Sequence, residues 1–304
     1  MNRVRMQIEC TDDLLPGNKR APVGIAVLDT GIANHPDFRN RIIDFHDFIN
    51  MKQYIYDDSG HGTHVAGCIG GDGRMSGGKF RGIHPKCNFI IGKVLNANGE
   101  GSLKDMISGL EWVFECASKY NIRVVNISVG VTNTQEKELL EVMLELVEEA
   151  WRKNILIICA AGNTGPKPMS ISPLGTGKHV ISVGCHDGDY FKNKEGTCEI
   201  YSGRGPSPYA IKKPDLVAPG TDVISCNAGY RTGGRRYNAP YIKKSGTSMS
   251  TPIVTGAAAL LVQKYGEMEC EEIKRRLVYS AIDLKEPWTK QGWGMLNVRR
   301  LLEL

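Results

Sequence analysis

Three short segments carry residue types able to run acid–base and nucleophilic chemistry. In Val27-Leu-Asp-Thr-Gly31 an apolar run ends abruptly on Asp29. A carboxylate there is either a turn-former capping the next segment or a fixed anion at the active edge of a sheet. In Asp57-Asp-Ser-Gly-His-Gly-Thr-His-Val-Ala-Gly67, Gly60 and Gly62 let the backbone pass close to a neighbour, and His61 opens a small-residue helix. His61 and His64 stand one turn apart, but no Glu or Cys completes a metal site and no H-E-x-x-H pattern occurs. A lone histidine is commonly structural; the flanking glycines argue otherwise. In Ser245-Gly-Thr-Ser-Met-Ser-Thr-Pro252 a run of hydroxyls leads straight into a small, apolar segment. Ser248 falls just ahead of or at a helix N-terminus, where unpaired N–H groups and the positive dipole end favour a developing anion. The plainer role for such a residue is a helix cap. Pro252 is expected in that helix's first turn. Together, an Asp, a His and a Ser in glycine-flanked turns form a candidate acid–base–nucleophile relay.

A frame must hold these side chains in one place. Apolar runs of strand length recur at Val23–Leu28, Asn88–Val94, Arg123–Val129, Ile155–Ala160, Val180–Val183 and Asp222–Ser225. They are β-branched and apolar on both faces, which suits parallel strands covered on both sides. Between them, Leu103–Lys119 puts Leu103, Met106, Ile107, Leu110, Val113 and Phe114 on one stripe, and Gln135–Arg152 does the same with Leu139, Leu140, Met143, Leu144, Val147 and Trp151. Ser250–Tyr265 is small and apolar nearly all round, so it reads as a buried helix; Met268–Ser280 is amphipathic again. The alternation predicts an α/β fold, a doubly wound, mostly parallel sheet with helices on both faces and ligands at the carboxyl ends of its strands. Residues 21–304 read as one domain behind a short N-terminal extension, 1–20.

Asp-Thr-Gly, His-Gly-Thr-His-Val-Ala-Gly and Gly-Thr-Ser-Met-Ser-Thr-Pro, in that order, resemble the three signature blocks of the subtilisin-like serine proteases, the subtilases. The chain order Asp, His, Ser is that of subtilisin itself. A fourth block, Ala160-Ala-Gly-Asn-Thr-Gly165, resembles the family's oxyanion segment. Tyr56-Asp-Asp-Ser-Gly-His61, Gly78-Lys-Phe-Arg-Gly82, Tyr201-Ser-Gly-Arg-Gly-Pro206 and Lys213-Pro-Asp-Leu-Val-Ala-Pro-Gly220 are most similar to the bacterial cytoplasmic alkaline proteases of the AprX type. The resemblance implies a serine endopeptidase with Ser248 as nucleophile, His61 as general base, Asp29 as its orienting carboxylate and Asn163 as an oxyanion donor. The other reading is a catalytically silent subtilase fold used for binding; such a chain should have lost one of these residues, and all are present.

The same resemblance assigns substrate binding. Gly99, Glu100 and Gly101 correspond to a strand that pairs with the substrate backbone, Ser128, Val129 and Gly130 to the strand on its other side, and Ala160, Ala161 and Gly162 to the wall of the primary pocket. Glu100 also reads as a solvated loop charge. Gly130 is followed by Val131, where the family often has a second glycine. Many secreted members carry a calcium loop after the histidine helix. Here Gly70-Gly-Asp-Gly-Arg-Met-Ser-Gly-Gly78 has a single carboxylate, whereas calcium wants six to eight oxygens, so no metal site is expected there although Asp37 matches the family's remote calcium aspartate. No cofactor is called for.

Composition bounds the rest. Hydrophobic residues at 41% and charged residues at 23% place the 304-residue chain among ordinary globular proteins and exclude disorder. Thirty-eight basic against 33 acidic side chains give +5, too mild and dispersed to imply nucleic acid. Arg231, Arg235 and Arg236 make only a short, Gly-rich cluster that reads as a solvated loop. No stretch approaches the ~18 apolar residues of a membrane span. Partners, by the resemblance to the subtilases, are expected to be protein or peptide substrates. The nine cysteines are an odd, scattered set without a C-x-x-C, and several sit in apolar runs where a free thiol acts as a small hydrophobe. Arg3 and Arg5 have no apolar stretch behind them, so no secretory signal is expected. These features predict a cytoplasmic protein whose activity needs neither disulfide nor calcium.

Overall fold

Ile25 and Val27 alternate with Ala26 and Leu28 along one strand, and both sets are fully buried, because each face of the sheet is covered. The computed structural model describes residues 1–15, 17, 20–129, 136–191, 195–230 and 239–304. Strands β1 (Gly24–Asp29), β2 (Ile42–Asp47), β3 (Asn88–Lys93), β4 (Ile122–Ile127), β5 (Leu156–Ala160), β6 (Ile181–Cys185) and β7 (Leu216–Ala218) form a parallel sheet in the order β2-β3-β1-β4-β5-β6-β7. The chain fills the side of β1 that holds β2 and β3 first, and then builds outward on the other side through β4 to β7. The crevice of such a sheet lies beyond the carboxyl ends at that reversal, where β1 ends on Asp29.

The helices are α1 (Asn2–Gln7), α2 (His61–Gly70), α3 (Leu103–Tyr120), α4 (Lys137–Arg152), α5 (Cys198–Tyr201), α6 (Thr247–Tyr265), α7 (Cys270–Tyr279), α8 (Trp288–Gln291) and α9 (Val298–Glu303). On one face Leu110, Val113, Met143 and Val147 of α3 and α4 pack on Leu28, Ile90, Val125 and Ile157. On the other, Val65 and Ile69 of α2 and Ile253, Ala257 and Leu261 of α6 pack on Ile25, Val27, Val124 and Ile158. Each of these Val, Leu, Ile and Met side chains contributes roughly 1.5–3 kcal/mol by burial. A capping box starts α3, with Ser102 and Asp105 exchanging side-chain and backbone bonds, and Asn121 at φ +52° ends it. At Gly256 of α6 a side chain would meet the Ile83 Cβ at 2.6 Å and the Ile69 carbonyl at 3.0 Å, so glycine is what lets α6 lie against α2.

Three expectations change. Asp222–Ser225 does not join the main sheet: β8 (Val223–Cys226) pairs antiparallel with β9 (Tyr241–Lys244) as a separate hairpin. An apolar run fixes a strand but not its partner. The extension before residue 21 packs on the domain, since α1 buries Val4 and the following Ile8 in the core. Pro252 lies deeper inside α6 than its first turn and, lacking an N–H, gives no helical bond to the Ser248 carbonyl. Cys185 and Cys198 form a disulfide with Cα atoms 5.8 Å apart, so the thiols are not all free; the other seven are unpaired and buried. Gly130 and the Arg231, Arg235 and Arg236 cluster lie outside the described residues. Among the described residues no helix is long and apolar enough to cross a membrane.

Candidate active site

Asp29 is fully buried where β1 stops. Its Oδ1 accepts the Thr30 N–H at 2.7 Å and meets His61 Nδ1 at 2.7 Å, while Oδ2 is buried with no partner. With a carboxylate on Nδ1, the imidazole proton sits there and Nε2 is left as the free base. Burial pulls the His61 pKa down, but the charge and hydrogen bond of Asp29 outweigh it, and the net shift is upward from 6.5.

His61 is delivered by a loop that Asp57 organises. Asp57 accepts from Gly60 N at 2.7 Å, Thr63 N at 2.8 Å and Thr30 Oγ1 at 2.8 Å. Gly60, at φ +81°, then turns the chain into α2. A side chain at Gly62 would collide with the Gly31 carbonyl, which explains the second glycine of the block. One turn along, His64 Nε2 lies 3.0 Å from the Val223 carbonyl and 3.2 Å from that of Ile242. Burial holds His64 neutral, its pKa pulled down to about 3. It therefore ties α2 to the hairpin whose strand β9 leads directly into Ser245–Ser248.

Ser248 is half-buried in the first turn of α6. Its Oγ makes no hydrogen bond to His61 among the described residues; such bonds are often long in a free enzyme and tighten with substrate. Asn163 is exposed at the rim, and its Oδ1 accepts Thr247 N at 3.1 Å and Thr247 Oγ1 at 3.0 Å. That fixes the amide with its NH2 turned away from Thr247, and a Cβ at Gly246 would lie 3.6 Å from Asn163 Nδ2.

Gly99, Glu100 and Gly101 are exposed and, with Val129, line an open cleft of about 710 Å³ together with Leu95, Leu103 and Met106. They form a turn in which Asn96 N bonds the Glu100 carbonyl at 2.8 Å. Ser128 does not line the cleft: it is buried and takes a bond from Asn126 Nδ2 at 2.8 Å. Ala160 and Ala161 are buried at the end of β5, with Gly162 half-buried beside Asn163.

A model of the Subtilase family matches residues 21–294. The chain belongs to the subtilases. Serine protease AprX of Bacillus subtilis (strain 168) is 39% identical over 269 residues, covering 84% of this chain and 60% of that protein. A thermostable alkaline protease of Halalkalibacterium halodurans is 34% identical over 91% of this chain and 66% of its own length. The chain thus spans less than two thirds of either relative. Subtilisin DY of Bacillus licheniformis is 30% identical across 93% of this chain and 91% of its own. The crystal structure of a cold adapted subtilisin-like serine proteinase superposes with a TM-score of 0.70 at 26% identity, over 98% of this chain and 99% of that one. The α/β architecture is the subtilisin fold.

Two parts of this subtilase site escape sequence reasoning. Lys93 is fully buried at the end of β3, with Nζ donating to Thr30 O at 2.8 Å, Leu95 O at 2.7 Å and Asp58 Oδ1 at 2.7 Å. It ties the residue after Asp29 to the end of β3 and to the histidine block, and a lysine closing the apolar run 88–94 was the signal. The role of Asp57 had no signal beyond its place in the histidine block.

The remote calcium position does not fit a cation here. Asp37 accepts Gly73 N at 3.1 Å, Met75 N at 3.2 Å and the Tyr241 hydroxyl at 2.8 Å, so protein donors occupy its lone pairs. Asp72, the carboxylate of the following loop, pairs with Arg74 at 3.2 Å. His35 and Cys226 also surround Asp37, and Cys185, Asp187 and Cys198 form a second buried group, whose sulfurs are bonded to each other.

Proposed function

We propose that this chain is a serine endopeptidase that hydrolyses peptide bonds of protein or peptide substrates through an acyl-enzyme. The observation that carries the reading is the 2.7 Å contact between a fully buried Asp29 and His61 Nδ1. It leaves Nε2 as the base that removes the Ser248 Oγ proton while Oγ attacks the carbonyl carbon. The tetrahedral oxyanion is met by the Asn163 amide and the Ser248 backbone N–H. Asn163 is already held by Thr247, so no reorganisation is needed as charge develops. His61 then protonates the leaving amine, and water repeats the cycle to release the acyl group; Asp29 steadies the imidazolium throughout without taking the proton. The cleft along Gly99–Gly101 and Val129 receives the substrate backbone.

The support for a cytoplasmic location is the seven unpaired, buried cysteines; the Cys185–Cys198 bridge points the other way. The test is labelling with a fluorophosphonate followed by peptide mapping. Ser248 should carry the adduct, and Ser248→Ala should abolish both labelling and hydrolysis. An adduct on another serine would remove the Ser248 assignment, and an unlabelled protein that still binds unfolded chains would turn the reading to a silent binding fold.

A further inference from the structure

The nucleophile segment rests on a turn that the opposite end of the chain reaches. Gly246, which precedes α6, donates its N–H to the Gly220 carbonyl at 3.0 Å, and Ser245 Oγ accepts the Asp222 N–H at 2.9 Å. A side chain at Gly220 would strike Ser250 Oγ and the Gly246 carbonyl, so residues 220–222 are the shelf under Ser248. The shelf is held from within by Asp187, which is buried after β6. Its Oδ1 accepts Gly220 N and Thr221 N, both at 3.2 Å, and its Oδ2 accepts the Thr221 hydroxyl. Thr221 Oγ1 in turn accepts Cys198 N at 2.8 Å, and the Cys185–Cys198 bridge brackets the aspartate.

The positive charge facing Asp187 comes from α1. Arg3 NH2 lies 3.3 Å from Asp187 Oδ1 and also donates to the Thr221 carbonyl. The guanidinium is stacked by Tyr190 and Phe191, with centroids at 4.9 and 4.7 Å. Gln7, on the same helix, donates to the Asp187 carbonyl at 2.6 Å. Val4 and Ile8 anchor the segment in the core. Arg5 points elsewhere, to the Cys10 carbonyl at 3.0 Å and to the exposed Asp12.

We propose that Arg3 and Asp187 are positioning residues for the nucleophile: α1 clamps the 220–222 turn through this ion pair and so fixes the height and direction of Ser248. Neither group touches the reacting atoms. Their effect is on how often Ser248 Oγ stands in line with the base, and a displacement of about 1 Å at a reacting atom costs on the order of 10²-fold. The proposal rests on the reading of Ser248 as nucleophile, and Ser248→Ala serves as its separate check.

The experiment measures kcat, KM and the rate of fluorophosphonate labelling for Arg3→Gln, Arg3→Lys, Asp187→Asn and Arg5→Gln, all well below the melting temperature of the least stable variant. Arg3→Gln should lower kcat and the labelling rate together by about tenfold, with KM within about twofold. Asp187→Asn should lose about 10²-fold if it folds. Arg3→Lys should recover most of the loss, because the charge and one donor return, and Arg5→Gln should match the parent. A melting temperature that drops with kcat and labelling intact, or a loss confined to KM, overturns the positioning role. If Asp187→Asn does not fold, the Arg3 pair decides alone. An active Ser248→Ala protein would instead remove the nucleophile assignment itself.

Discussion

At the end of β1, Asp29 Oδ1 meets His61 Nδ1 at 2.7 Å; a few residues further on, Asp37 Oδ1 faces His35 Nδ1 at 3.8 Å. Both aspartates are fully buried, yet the two pairs behave in opposite ways. Asp29 has one backbone donor and a spare oxygen, so its charge acts on the imidazole and raises the His61 pKa against the cost of burial. Asp37 spends its lone pairs on Gly73, Met75 and Tyr241. At the longer distance its charge does not offset the burial of His35, whose pKa falls below the ordinary value. His35 is fixed instead by accepting Asp37 N at 3.2 Å on Nδ1, with Nε2 turned to the Pro240 carbonyl at 2.9 Å. A buried Asp–His pair is thus chemical or structural according to how many other donors the carboxylate already serves.

The sharpest way to break this comparison is to delete each histidine. His61→Ala should lower kcat by about 10⁶-fold, the scale measured for such a deletion in a subtilisin, with the fold kept. His35→Ala should leave kcat within about twofold and cost roughly 1–3 kcal/mol of stability, because it strands the Asp37 N–H and the Pro240 carbonyl. Progress curves and thermal melts on the same preparations separate the two outcomes. If both variants lost activity equally, the distinction would fail.

Asp29→Asn comes next. It should cost about 10⁴-fold in kcat, the scale of the same change in a chymotrypsin-type triad. The pH profile gives the sign. His61 must be neutral to act as base, so in the parent kcat/KM falls as pH drops through a pKa that lies above 6.5. Removing the Asp29 charge leaves burial as the main influence, which favours the neutral ring, so the acid limb should move to lower pH. An acid limb that stayed in place would mean that a group other than His61 is being titrated.

Much of this arrangement was legible in the chain, and for stated reasons. The strand at 24–29 and helix α6 show in composition because burial on all sides leaves only apolar or small residues. The site residues show because glycines must flank a histidine held this close to a strand end. β2 was not legible: Ile-Ile-Asp-Phe-His-Asp is an edge strand with charges on it and reads as a loop. β9 was missed for the same reason, ending in two lysines. Lys93 stands out only as a lysine closing an apolar run, and neither it nor Asp57 shows its partners, because most of them are backbone groups that only the fold brings near. The Cys185–Cys198 bridge joins residues 13 apart among nine scattered cysteines, and only the fold brings this pair together.

Asn163→Ala tests the oxyanion side of the comparison with a smaller effect. Removing one such donor costs about 10²–10³ in kcat, a figure that comes from a subtilisin, and KM should change little. Because Asn163 Oδ1 also holds Thr247, Asn163→Asp is the companion variant: it keeps that acceptor but loses the donor. Both should be slow. Recovery of kcat in the aspartate variant would show that holding Thr247, and not meeting the oxyanion, is what the side chain contributes.

The smallest effect is expected at the structural pair. Tyr241→Phe keeps the ring in its place against Phe80 and His35 and removes only the hydroxyl that Asp37 accepts. Tyr241 is half-buried, so water can take up part of the loss, and about 1 kcal/mol, or about 2 °C in melting temperature, is expected with kcat/KM unchanged. The parent should melt at the same temperature with and without excess chelator, because two amides and a hydroxyl already satisfy the carboxylate that a cation would need. Tyr241→Phe opens a lone pair on Asp37 and so is the stricter case. A chelator-dependent melt in that variant alone would show that the hydroxyl excludes a cation the site can otherwise hold. A chelator-dependent melt in the parent would mean that Asp37 was never saturated, and the contrast with Asp29 would rest on distance alone.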